Sequence, residues 1–443
     1  MSLAERRWLR LFTLCVLYVA QGIPWGFTAI TIPTYLVHRH LDAAAVGAVI
    51  AMTSLPYTFK WAWGPIIDSF TLPRFGRRRP WIVLAQLMMA LTILSMILIP
   101  DLTVDLKMLG WTVLIHTVFN ALQDVAVDAL AVDLLDDEER GRANGLMYAS
   151  KYGGSVIGAG GMSWVIYNVS FEAALIIQTV ILMAIMLVPL LVRETAHPIE
   201  TRPRLRDVAR GLVEVFAVRS AALTVMLMLL TGFATGILTT NSFVLFQEQL
   251  HWSPEKYSQL TGVLVPICGL GGSVLGGFLS DVVGRRRLAA IAGIAMAAGW
   301  LVFGMLSDHW LDDRVVYPLA LFETTTVAVM NVSLFALCMD VSWSKVGASQ
   351  FAAYMAFANF SSTVGYRFAA TANEYLDYAS MYVAAAVFQV IVMSLLLFID
   401  PTQTARELPR PDGLPLPRRG IATVSMLGVT LLVLTWYVAS SLF

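Results

Sequence analysis

Asn120, Gln123, Asp124 and Asp128 interrupt an otherwise apolar stretch, and their spacing brings them together. At about 100° per residue the four share one helical stripe roughly 140° wide. Two carboxylates one turn apart in such surroundings titrate as a coupled pair, which suits the uptake and release of a proton. Lys60 and Lys151 lie at overlapping depths in their own apolar runs, so cations are at hand to offset the carboxylates. A static ion pair between helices is the plainer role for such charges. Four polar groups on one face exceed what one such lock requires, and this favours proton or solute binding.

Glu323 and Arg367 sit near the same end of two later apolar runs and are expected to pair or to meet solute, with Asn331 on the helix of Glu323. Gln21 lies mid-run among Tyr18, Gly22, Pro24, Trp25 and Gly26. Proline and glycine there either free backbone groups for a cavity or simply kink the helix. Reaction chemistry has no footing. His38, His40, His116, His197, His251 and His309 are scattered, and no nucleophile–base pair or metal-ligand cluster appears. Cys15, Cys268 and Cys338 lie inside apolar runs, outside any CxxC, and read as free, inert thiols. The chain is expected to have no catalytic residues, no metal site and no cofactor.

Membrane helices must position these residues. Hydrophobic residues make up 58% and charged residues 14% of 443, against nearer a quarter charged in a soluble domain. The apolar runs are about 20 residues long, enough to cross a bilayer core of ~30 Å. Thirteen spans are expected: 8–35, 43–67, 80–99, 108–134, 143–167, 171–192, 221–247, 257–280, 288–306, 315–339, 347–372, 379–399 and 421–441. With the N-terminus in the cytoplasm, 23 lysines and arginines fall on the cytoplasmic side and 4 on the other, leaving Lys60, Lys151 and Arg367 within spans. That split is the positive-inside pattern. The opening MSLAERRWLR reads as the approach to the first span rather than a removed signal. A net charge of zero leaves no nucleic-acid footprint. The expected division is a six-helix bundle at 1–192, a cytoplasmic linker at 193–220 and a second six-helix bundle at 221–399. A Pro-rich linker at 400–420 and an additional, lipid-facing transmembrane helix at 421–443 follow, putting the C-terminus outside.

One signature follows the second span of each half. Gly64 and Asp68 precede Gly76, Arg77, Arg78 and Arg79; Gly277 and Asp281 precede Gly284, Arg285, Arg286 and Arg287. The two aspartates are 213 residues apart, which marks an internal duplication. An aspartate at a helix end can accept from the N-terminal amides of a neighbouring helix. The arginines can pair with carboxylates and with anionic lipid heads. Contacts made only when the cytoplasmic side is shut would make Asp68, Arg77, Arg78, Asp281, Arg285 and Arg286 a gate; positive-inside anchoring is the alternative. The helix carrying Lys60 is expected to stop at Gly64-Pro65 and Asp68. The glycine clusters at 153–161 and 269–276 are expected to mark close helix packing.

Six spans, a linker, six more spans and a repeated cytoplasmic signature resemble the major facilitator superfamily. The resemblance implies an all-α transmembrane fold of two six-helix bundles around a central cavity, working by alternating access. A narrower likeness covers about the first 160 residues. FKWAWGPIIDSF, GRRRPW and LQDVAVDALAVDLLDDEERGRANG are similar to the AmpG-type muropeptide permeases, related to acetyl-CoA transporters and some siderophore importers. Gln123, Asp124 and Asp128, the lysine after Phe59 and the turn Glu138-Glu139-Arg140-Gly141 match positions of that family. The AmpG type carries fourteen spans, against the thirteen expected here.

The resulting expectation is a proton-coupled importer of anhydro-muropeptides in a bacterial inner membrane. Gln21, Lys60, Asn120, Gln123, Asp124, Asp128, Lys151, Glu323, Asn331 and Arg367 would serve solute or protons. Its partners would be a small-molecule solute, protons and membrane lipids, and it would act as a monomer. A siderophore or acetyl-CoA importer is the alternative within transport, and a transporter-derived sensor the alternative outside it.

Overall fold

The computed structural model describes residues 5–39, 59–70, 76–194, 205–409 and 415–439, with a few isolated positions at 3, 41 and 49–57. These residues fold into helices, numbered here α1–α19, and no strand occurs among them. In the first half α1 (Arg7–Gly26) continues through a π-helical turn (Phe27–Thr31) into α2 (Ile32–His38). A 3₁₀ turn (Lys60–Ala62) leads into α3 (Trp63–Ser69). Then come α4 (Arg79–Ser95), α5 (Leu106–Leu134), α6 (Arg140–Val156), α7 (Met162–Asn168) and α8 (Phe171–Leu191). Another π-helical turn, Ile157–Gly161, joins α6 to α7.

The second half repeats this plan. An amphipathic helix, α9 (Leu205–Phe216), comes first. Next are α10 (Arg219–Thr231), α11 (Phe233–Val244), α12 (Pro254–Gln259), α13 (Val265–Val283), α14 (Arg285–Met305), α15 (Asp313–Val341), α16 (Gly347–Tyr375) and α17 (Tyr378–Ser394). Two further π-helical turns, Leu245–Gln249 and Leu260–Leu264, follow α11 and precede α13. Short α18 (Gln403–Glu407) and α19 (Arg418–Ala439) follow. All four π-helical turns lie towards the ends of their spans remote from the arginine-rich loops.

Nine helices among the described residues are long and apolar enough to cross a membrane. The segments 140–168 and 347–375 are not among them, because they carry Lys151, Tyr152, Asn359, Ser362 and other polar or small residues that face an internal cavity. Much of the expected span 43–67 and the end of 421–443 lie outside the described residues, as do 195–204 of the expected linker. Of the two expected stops, the one at Asp68 holds, since α3 ends at Ser69, whereas Gly64-Pro65 lies within the first turn of α3, where the missing proline N–H costs no hydrogen bond.

Side chains in lipid gain little from hydrophobic attraction to each other, so close packing must hold such helices together. Small residues supply it where α1 crosses α6. A Cβ on Gly22 would come within 2.2 Å of the Lys151 carbonyl, and one on Gly158 within 1.9 Å of the Ile23 carbonyl. A second seam joins the halves, where a Cβ on Gly145 would meet the Gly277 Cα at 2.7 Å. The glycine expectation holds at Gly154, Gly158, Gly272 and Gly276, whereas Gly153, Gly160 and Gly271 face open space. The duplicated signature is visible in the backbone: Gly76 and Gly284, each just before an arginine triplet, have φ of 97° and 94°. Only glycine adopts that conformation without strain.

Candidate functional site

The buried charges of the first half centre on α5. Asp124 binds both lysines: Lys60 Nζ donates to Oδ2 at 3.0 Å and Lys151 Nζ to Oδ1 at 3.1 Å. Lys60 owes its place to the 3₁₀ turn, which swings it off α3 towards α5, while Lys151 reaches in from α6. Asp128, one turn further, touches neither lysine by salt bridge and instead accepts from the Tyr18 hydroxyl of α1. The two carboxylates are thus unequal: one lies between two cations, the other against a neutral donor. Asn120 and Gln123 are buried beside them, Gln123 Nε2 pointing at the Leu17 carbonyl at 3.5 Å. Gln21 is buried on α1.

Lys60, Asp124 and Lys151 line a cavity of about 550 Å³. Its other wall belongs to the second half and includes Asn331, Asn359 and Tyr366, with aromatic rings such as Trp25, Tyr57, Tyr148 and Tyr152 between. The structure therefore brings Lys60, Asp124, Lys151 and Asn331 around one space. Asp128, Asn120, Gln123 and Gln21 stand behind it, within the first bundle. Two cations against one carboxylate on the wall make the lining net positive, which suits an anionic group on a solute.

Glu323 stands elsewhere. It accepts from Trp300 Nε1 at 2.7 Å and lines a different cavity, and no salt bridge among the described residues joins it to Arg367. The expected Glu323–Arg367 pairing is thus replaced by a contact with Trp300, one that an indole on a neighbouring helix could not signal by spacing. Arg367 is exposed on α16.

On the arginine-rich face both signature aspartates reach across to the other half. Asp281 accepts from the backbone N–H groups of Gly141 and Arg142, each at 3.0 Å, and from Arg142 Nε at 2.9 Å. Those amides begin α6, where free N–H groups and the helix dipole favour an anion. Asp68 does the same at α16, accepting from Ser349 N at 2.8 Å and Ser349 Oγ at 2.7 Å. Arg77 and the fully buried Arg78 pair with Asp68 at 2.9 and 2.8 Å, and Arg78 also reaches Asp133 at 2.8 Å. Arg285 pairs with Asp340, and Arg286 donates to the Ile399 carbonyl at 2.7 Å. Asp340 also meets Arg140 of the first half at 3.0 Å. Ser349, Asp340 and the Gly141–Arg142 amides were not singled out by the gate reading; their spacing in the chain gives no hint of these cross-half partners.

A family model described as Major Facilitator Superfamily matches residues 14–365. Over 346 residues the chain is 25% identical to an anhydromuropeptide permease of Escherichia coli (strain K12), covering 76% of this chain and 69% of that one. It is 23% identical to putative transporter AmpG 4 of Rickettsia conorii, covering 77% and 85%. Among solved structures it is similar to the human organic anion transporter MFSD10 (TETRAN), with a TM-score of 0.71 at 12% identity over 87% of this chain and 98% of that one. The proton:xylose symporter XylE gives 0.69 at 13% identity over 89% and 97%.

Proposed function

The chain belongs to the Major Facilitator Superfamily as a multi-pass transporter of the AmpG type, and from that premise we propose that it imports anhydro-muropeptides coupled to protons. The observation that carries this reading is Asp124 held between Lys60 and Lys151 on the wall of the central cavity. A solute carboxylate entering there competes with Asp124 for the two ammonium groups. Once a lysine turns to the solute, Asp124 loses part of its compensation and a proton is the available replacement. Solute entry and proton uptake then favour each other, which is symport. Asp128, one turn away and held by Tyr18, is placed to exchange that proton with Asp124.

Alternating access supplies the directionality. The contacts of Asp68 and Asp281 close the arginine-rich face, which the loop charges assign to the cytoplasm, and their release would open it. Gly64, Gly145 and Gly277 let the two halves approach closely enough for these contacts to form. Arg77, Arg78, Arg285 and Arg286 complete this gate.

The test is uptake of labelled anhydro-muropeptide, siderophore and acetyl-CoA into proteoliposomes, with and without an inward pH gradient. The proposal expects gradient-driven accumulation of the muropeptide, lost in Asp124→Asn with some binding retained. Accumulation of the siderophore or the CoA ester alone overturns the substrate; accumulation indifferent to the gradient overturns the coupling.

A further inference from the structure

A second cavity, of about 310 Å³, lies within the second half and is lined by Glu323 together with the rings of Tyr257, Trp300, Phe303 and Tyr382. Tyr152, reaching in from α6, lines this cavity and the central one alike. The described lining contains one carboxylate and no lysine, arginine or histidine. Glu323 spends Oε1 on the Trp300 indole, and Oε2 takes no donor among the described residues. Three of the hydroxyls on the wall are turned to backbone carbonyls. Ser242, Thr261 and Thr324 donate to carbonyls of their own helices, at 2.8, 3.0 and 3.0 Å. Phe303 and Tyr382 pack with ring centroids 4.6 Å apart beside the carboxylate. Such a wall accepts hydrogen bonds, offers a carboxylate and presents π faces.

We propose that this cavity is a second binding site, selective for an organic ammonium group. A carboxylate takes the N–H donors while aromatic faces attract the charge, so a cation gains what a neutral group of equal size does not. An anion would meet Glu323 with no lysine, arginine or histidine of the described lining to offset it. The volume lies in the range of small-molecule pockets, roughly 300–1,000 Å³. Taken with the net-positive central cavity, and resting on the reading of that cavity given above, the site selects a bipolar solute. Its carboxylate lies at Lys60 and Lys151, its ammonium at Glu323, and Tyr152 borders both.

The experiment measures binding of 2-phenylethylammonium and of its neutral counterpart 2-phenylethanol to the purified full-length protein by calorimetry. The ammonium should bind at least about tenfold more tightly, the preference expected when a well-placed charge contact contributes ~1.4 kcal/mol. Glu323→Gln, which keeps an acceptor for Trp300, should abolish the preference, and Trp300→Phe should reduce it, each with an unchanged elution profile and melting curve. Lys60→Met alters the central cavity only, so the preference should persist there even where uptake falls. Equal binding of amine and alcohol, or a preference surviving Glu323→Gln, overturns the proposal. A preference that disappears in Asp124→Asn, which removes the carboxylate of the central cavity, assigns the ammonium to that cavity and overturns it too. If muropeptide uptake fails while the amine preference behaves as expected, the transport reading falls and the second site stands.

Discussion

Replacing Asp281 by asparagine tests the closure of the arginine-rich face most directly. In the structure the Asp281 carboxylate holds two backbone amides that begin α6, both at 3.0 Å, and the Arg142 side chain. Asparagine keeps one acceptor oxygen. Its amide nitrogen would face a backbone N–H, donor against donor, so one bond is lost outright and the other becomes neutral. A hydrogen bond to a charged group contributes about 1.5–3 kcal/mol, whereas the Arg142 contact, 38% exposed at its side chain, adds little. A net loss of about 2–3 kcal/mol converts, at ~1.4 kcal/mol per tenfold, into roughly 30- to 150-fold more of the cytoplasm-open form. Asn144 reports on it. It is fully buried on α6, its amide against Met339 Sδ of the other half at 3.2 Å. With Cys15, Cys268 and Cys338 replaced, a single cysteine at 144 should react with an impermeant maleimide in inside-out vesicles faster by about that factor once Asp281→Asn is added. Labelling at the parental rate, in protein that remains monodisperse, would refute a gating role and leave Asp281 as a topological anchor.

Other outcomes follow from the same geometry. Tyr18→Phe removes the donor to buried Asp128 and, at a cost of about 1–3 kcal/mol, should lower solute accumulation without abolishing binding; wild-type accumulation in proteoliposomes counts against Asp128 in coupling. Gly158→Val would force a side chain against the Ile23 carbonyl, 1.9 Å from an added Cβ. It should lower the melting temperature or prevent purification, and a stable variant with the wild-type curve would contradict the packing of α1 on α6. Reporter fusions at Arg206 and at Phe443 should show the first cytoplasmic and the second external; a cytoplasmic Phe443 would remove α19 from the membrane spans.

The fold was legible because its signals are long and redundant. Runs of apolar residues placed α5, α8, α14, α15 and α17 to within a few residues, since each run must match the bilayer. The arginine triplets, repeated after Gly76 and Gly284, disclosed the duplication. The site was legible only in part. Asp124, Lys60 and Lys151 drew notice because ionisable groups inside spans are costly. Which lysine meets which aspartate depends on how α1, α5 and α6 rotate against one another, and spacing along one helix holds no information on that. Tyr18, in a stretch noted for its proline and glycines, turns out to be the partner of Asp128. Trp300 gave no cue, because an indole in an apolar run looks like any other core residue. The amphipathic α9 lay in a segment whose Pro and Arg content suggested only a linker; its Gly211 packs against Val346, beside the start of α16.

The four π-helical turns among the described residues bear on mechanical compliance. A π-helical turn holds one residue more than the α-helical turn it replaces, with poorer hydrogen-bond geometry. All four lie in the half of the molecule away from the paired aspartates, in the segments 27–31, 157–161, 245–249 and 260–264. The half nearer the arginines has no π-helical turn among the described residues and is tied by charged contacts. The span ends near the arginines are therefore expected to move as units, and the opposite ends to bend or re-register by a single residue. Gly160 sits in one such turn with open space around it, so deleting it amounts to rewinding one outer segment by about 100° rather than to breaking a span. Lineages of such transporters can, by that route, reshape the outer mouth one residue at a time while the inner closure stays unchanged.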